Sequence, residues 1–196
     1  MEIIKQRRSI RKFSAKEIPI QFLEEILEAG SLAPSAKNRQ PWFFLVSRSD
    51  RHRQDMIDKM RCAIQCALRR EPNRSDLHMA LETVDIMSDS PIIIFVCYRQ
   101  GLADTHDDRV NWPLSATEME VVDILSIGAA VENMLLKVQE LGLGGLWCGD
   151  VLYAYPELMA EIRIEHPMVS AICIGYPLEF PPARPRIPLS QSYIYI

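Results

Sequence analysis

No stretch of this 196-residue chain is apolar for long enough to cross a bilayer; the longest candidate, 121–141, is broken by Asp123, Glu132, Asn133 and Lys137. A membrane span is not expected. The basic start carries neither an apolar segment nor a small-residue cleavage site, so a secretory leader is not expected either. Five cysteines are an odd number, which argues against a closed disulfide framework. Cys62 and Cys66 share a helix face, but no further Cys or His pair follows at zinc-site distance, so no structural metal is expected. Cys97, Cys148 and Cys173 each fall in an apolar, strand-like run and read as buried free thiols of a reducing cytoplasm. No G-x-G-x-x-G follows a strand pattern and no P-loop lysine is present, which leaves a Rossmann dinucleotide fold and a nucleotide triphosphatase without support. A Ser, His and Asp set and an H-E-x-x-H helix are missing too. His52, His78, His106 and His166 have no acidic or Cys partner at a telling spacing and read as structural or exposed. The formal charge of -4 lacks the basic excess of a nucleic-acid-binding face.

What the chain does have is a 48% hydrophobic content, enough for one domain over 1–196 that buries roughly 70% of its unfolded surface. A short helix is expected over 2–8. A second begins after Pro19, with Ile20, Leu23 and Leu27 inward, and stops at Gly30. A polar turn-rich loop, 32–40, hands over to a strand at 41–46. Helices follow at 50–70, with Met56, Ile57, Met60 and Ile64 inward, and at 75–88. The Ile- and Val-rich run 91–98 has the pattern of a central strand covered on both faces. Residues 99–118 form a polar insertion, a candidate lid or site wall in which Trp112 is a candidate pocket residue. The helix expected at 121–141 would run roughly 32 Å and is apolar almost all round, so a partner subunit would have to supply part of its cover. Gly142 ends it, and a glycine-rich turn enters a strand near Leu146. A short helix near 157–162 and a last strand at 168–176 complete the core.

Two features carry chemistry. Lys5, Arg7, Arg8, Arg11 and Lys12 crowd around Ser9 near the start of a net acidic chain. Arginine forks and a hydroxyl suit phosphate oxygens, although a solvated helix start, a nucleic-acid arm and a targeting leader fit the same residues. At the other end a proline-dense arm from Pro177 to Pro188 sets Arg184 and Arg186 at alternate positions, a second anion clamp. The apolar end Tyr193–Ile196 calls for cover by a partner subunit or a sheet edge.

Taken in order, these motifs resemble the FMN-dependent nitroreductase family. The resemblance rests on Arg7, Arg8, Ser9, Ile10, Arg11 and Phe13; on Pro34, Ser35, Asn38, Gln40, Pro41, Trp42 and Phe44; on Gly142, Leu143, Gly144, Trp147 and Gly149; and on Gly175, Tyr176, Pro177, Arg184 and Arg186. It implies an α+β fold with a mixed, mostly antiparallel central sheet flanked by helices. It also implies a homodimer that exchanges its extended C-terminal arm, 177–196, and holds two FMN at the interface. On that likeness Arg7, Arg184 and Arg186 would hold the FMN phosphate, with Arg8 and Ser9 beside them, and Arg11 would reach the pyrimidine edge of the ring. Pro34, Ser35, Ala36, Asn38 and Gln40 would come from the other subunit, and Leu146, Trp147, Cys148 and Gly149 would run behind the ring. The implied activity is ping-pong transfer from NADH or NADPH to a nitroaromatic, a quinone or a similar small electron-poor acceptor. No protein residue need act as acid or base, because FMN carries the chemistry. Flavin fragmentation, dehalogenation or dehydrogenation on the same scaffold, a non-catalytic FMN store and a nucleic-acid arm remain alternatives.

Overall fold

Ile92–Tyr98 (β3) is the strand on which the sheet is built, and every residue from Ile92 to Cys97 is buried. Its continuous apolar run, rich in Ile and Val, places apolar groups on both faces, which only a strand covered on both sides can accommodate. In this computed structural model, which describes residues 2–99 and 116–196, β3 pairs antiparallel with Trp42–Ser47 (β2) on one side and Met168–Pro177 (β5) on the other. Phe13–Ser14 (β1) and Gly144–Cys148 (β4) also pair antiparallel with β5. A parallel bridge between Ser9 and Gly145 makes the sheet mixed.

Alternation along β3 splits the core. Ile93, Phe95 and Cys97 face a cluster made with Asp50–Arg70 (α3), Ser75–Asp89 (α4) and Tyr155–Ile162 (α6). Ile92, Ile94 and Val96 face a second cluster made with Ile20–Ser31 (α2) and Ala116–Glu140 (α5). Helices thus cover both faces, and the α+β reading holds. The four expected inward residues of α3 are all buried. Among the described residues no helix is long and apolar enough to cross a membrane.

The structure departs from the sequence reading at several ends. The first helix (α1) is Glu2–Gln6 and stops short of residue 8, where the chain must turn onto the sheet. In α2 the buried residues are Leu23, Ile26 and Gly30, while Ile20 is 40% exposed at the first turn, so the inner face is rotated from the expected one. Gly30 is no helix stop but a contact: a Cβ there would lie 2.8 Å from Met134 Cγ on α5. The long helix begins at Ala116, so residues 116–118 are helix rather than insertion. Residues 100–115, with Trp112, His106 and the rest of the expected lid, lie outside the described residues. α5 leaves the apolar Val121, Ile124 and Leu125 exposed, in keeping with a helix apolar on nearly every face, while Asp123 is fully buried.

Candidate functional site

Ile10 anchors the basic stretch. It is buried, it lies against Gly144, and its N–H donates to the Gly145 carbonyl at 3.0 Å. A Cβ on Gly144 would come within 2.9 Å of three Ile10 atoms, so only glycine lets the segment sit this close to β4. Arg7, Ser9 and Arg11 are thereby fixed along the outer edge of that strand.

The arginines are not equivalent. Arg8 Nη1 donates to the Lys5 and Arg7 carbonyls at 2.6 and 2.8 Å, closing the end of α1. Arg11 donates its N–H to Glu179 Oε1 at 2.6 Å and Nη1 to the Ser9 carbonyl at 3.3 Å. Arg7 Nε lies 3.3 Å from Glu132 Oε1 on α5, an ion pair, and this buried nitrogen makes no hydrogen bond among the described residues.

On β4 the side chains alternate. Leu146 and Cys148 are buried in the core, whereas Trp147 is 45% exposed, with Cη2 near Gly128 of α5. Gly145 turns its carbonyl to the outer edge, towards Ile10, so Trp147, two residues on, turns its backbone N–H to that edge too. A Cβ added at Gly149 would meet nothing within 4 Å. The strand therefore presents the Trp147 backbone and open space at its outer edge, while Leu146 and Cys148 bury their side chains and turn their main-chain groups towards β5.

The loop after α2 is tightly made. Lys37, Asn38 and Gln40 all adopt positive φ, at 51°, 56° and 49°. Ser35 Oγ accepts the Gln40 N–H at 3.0 Å, and the Asn38 N–H donates to the Ser35 carbonyl at 3.0 Å. The Ser35 hydroxyl still has its proton to offer outward. Pro34, Asn38 and Gln40 are exposed, and Ala36 is half-buried. Beneath them Arg39 makes a bidentate pair with buried Asp123 of α5, at 3.1 Å from Nε and 3.0 Å from Nη2, and Tyr98 donates to the same carboxylate at 3.1 Å. The bond to Asp123 holds the Arg39 guanidinium above its usual value, and burial together with that carboxylate pushes the Tyr98 phenol up. Sequence reasoning missed this trio. The available signal was Asp123 itself, a carboxylate inside an otherwise apolar helix stretch, which must have a partner.

The C-terminal arm leaves β5 beside the basic stretch: Leu178 N–H donates to the Lys12 carbonyl at 2.9 Å, and Glu179 takes the Arg11 N–H. Beyond it Arg184 and Arg186 are exposed and are not brought to Arg7 by any hydrogen bond or ion pair among the described residues. Leu178, Phe180, Ile187, Leu189 and Tyr193–Ile196 are also exposed.

The β4 edge with its outward Trp147 N–H, the open Gly149 and the Arg7–Glu132 pair make up the candidate site of this α+β protein. A nitroreductase-family profile matches residues 4–176. A protein of Methanothermobacter thermautotrophicus, provisionally named NADH dehydrogenase/NAD(P)H nitroreductase, is 30% identical over 190 residues, covering 94% of this chain and 80% of that protein. The chain belongs to the nitroreductase family. Among solved structures, a provisionally named nitroreductase of Desulfovibrio desulfuricans in complex with FMN is similar at TM-score 0.74 and 26% identity, over 100% of this chain and 95% of that one. The NADPH:FMN oxidoreductase of Vibrio harveyi complexed with NAD+ shares the fold at TM-score 0.78 and 19% identity, over 99% of this chain and 75% of that one.

Proposed function

We propose that the chain is an FMN-dependent oxidoreductase that passes electrons from NADH or NADPH to a nitroaromatic, quinone or similar electron-poor acceptor, donor and acceptor taking turns in one site. Bound FMN would supply the hydride and electron chemistry, which no set of protein acids and bases replaces. The observation that carries the reading is Arg7 Nε, buried beside the open edge of β4 with no hydrogen bond among the described residues and a single ion pair to Glu132. Phosphate oxygens are the natural acceptor for a guanidinium held this way. Family membership and the FMN-bound relative support the same cofactor.

This chain's own residues would divide the work. Arg7 and the Ser9 hydroxyl hold the phosphate, and Arg184 and Arg186 of the arm join them on assembly. Arg11 favours negative charge at the pyrimidine edge. The backbone N–H of Trp147 faces the ring, with the missing Gly149 side chain leaving room for it. Arg8 serves the end of α1 and holds the stretch in place. Ser35, Ala36, Asn38 and Gln40, on the exposed loop after Pro34, contact the ring of the neighbouring subunit.

A cytoplasmic homodimer completes the reading. Support comes from the exposed Val121, Ile124 and Leu125 on α5 and from the exposed apolar side chains of the arm, which in water call for a partner. The five cysteines are all unpaired, in keeping with a reducing compartment. The experiment is the absorption spectrum of the purified protein, followed by anaerobic addition of NADH or NADPH and then a nitroaromatic. A bound flavin spectrum that bleaches and recovers is expected. A colourless protein that takes up no added FMN would overturn the assignment, and a flavin that neither nucleotide bleaches would overturn the reductase part.

A further inference from the structure

Three of the four non-glycine residues at positive φ among the described residues, Lys37, Asn38 and Gln40, sit in a single loop. Left-handed backbone is unfavourable for such residues and persists only where surrounding structure over-determines it. The loop's own bonds among Ser35, Asn38 and Gln40 close it on itself. It is tied outward by Arg39, between two of the strained residues, whose fork meets both oxygens of Asp123 on α5 while the Tyr98 hydroxyl at the end of β3 meets the second. Arg39 has a side chain only 9% exposed, and Asp123 is fully buried.

Stability alone does not account for this arrangement. A buried ion pair is commonly no more stabilising than apolar side chains of the same volume, because desolvating both charges offsets their attraction. What a bidentate fork supplies that apolar packing does not is orientation: it sets the angle at which the loop leaves the sheet. We propose that Arg39, Asp123 and Tyr98 form a positioning network that holds loop 35–40 in the strained form presenting Ser35, Asn38 and Gln40 to the flavin. The inference rests on the reading of that loop as a flavin contact. None of the three residues touches the ring; they act through the loop. Because Asp123 lies between exposed Val121 and exposed Ile124 and Leu125, the same network links the loop to the α5 face proposed to meet the second subunit.

The test separates orientation from stability. The double variant Arg39→Met with Asp123→Leu removes both charges together and should melt within a few degrees of wild type, since neither charge is left unpaired and the half-buried Tyr98 hydroxyl turns to water. FMN titrated into apo protein should nevertheless bind at least about tenfold more weakly, and the visible circular dichroism of bound FMN should change as the ring loses its fixed surroundings. Arg39→Lys, which keeps the charge and loses the fork, should fold and shift affinity and dichroism in the same direction by a smaller amount. Wild-type FMN affinity and dichroism in both variants would overturn the network while leaving the flavin reading intact. So would a Tm loss with no change in flavin binding, which is the signature of a merely structural pair. Failure of the wild-type chain itself to take up FMN would overturn both.

Discussion

Replacing Arg7 by Met should abolish most flavin retention while barely touching the fold, and the structure lets both magnitudes be worked. In the free protein Arg7 contributes one ion pair, with Glu132 at 3.3 Å, whose side chains are 23% and 43% exposed. A pair this open contributes about 0.2–1 kcal/mol, since water and salt screen it. Met preserves the aliphatic stem against α5. For a chain of this length a loss of that size lowers Tm by at most about 4 °C. Binding stands to lose more. A charge-assisted hydrogen bond from a partly buried guanidinium to phosphate contributes about 1.5–3 kcal/mol, so removing it weakens affinity roughly 10- to 160-fold. The assay is titration of apo protein with FMN, followed by quenching of flavin fluorescence, at two salt concentrations, beside a thermal melt. The variant should also show a shallower salt dependence, because one cation no longer meets the phosphate. Affinity within twofold of wild type would refute the assignment of Arg7. A fall in Tm beyond about 5 °C accompanying the affinity loss would refute the separation of site from fold.

Other expectations follow from packing and burial. Gly149→Ala should leave Tm nearly unchanged, because the added Cβ meets nothing within 4 Å, yet it should weaken FMN binding by filling space left for the ring. Isothermal titration and a melt on one sample check both halves. Gly144→Ala does the reverse first: its Cβ meets Ile10 at 2.9 Å, and forcing the two apart costs about 1–3 kcal/mol, read as a lower denaturant midpoint. Phe95→Ala empties the centre of the sheet and should cost about 3–5 kcal/mol, a Tm loss of roughly 6–20 °C in calorimetry. Burial pushes the Cys97 thiol up to about 12, so below that pH it stays protonated and unreactive. Alkylation at pH 8 followed by mass spectrometry should label exposed Cys62 and spare Cys97, and labelling of Cys97 in folded protein would contradict the described packing.

Periodicity made some of this molecule legible and hid the rest for a physical reason. The central strand and α3 were readable because burial on two faces, or on one helical stripe, demands apolar residues at fixed intervals, and Ile92–Cys97 and the Met56, Ile57, Met60, Ile64 stripe obey that demand. The cationic stretch was readable as a place needing a counter-charge, and the structure supplies one from within the chain, Glu132 beside Arg7. What could not be read is how closely backbones approach. Gly30 looks like a helix stop in the sequence, and its actual role, admitting Met134 of α5, depends on a residue 104 positions away. Gly144, which admits Ile10, and Gly149, whose added Cβ would meet nothing among the described residues, are the same residue type five positions apart with opposite meanings. The Arg39–Asp123 pair was hidden in the same way. A polar residue in an apolar helix announces that it has a partner, but the chain says nothing of which of its cations that is until the fold brings one under it. Sites built from close approach and buried pairing are therefore the part of a protein that its one-dimensional pattern under-reports. Here the first lies at the β4 edge proposed for this chain's cofactor, and the second beneath the loop proposed to reach the neighbouring subunit's.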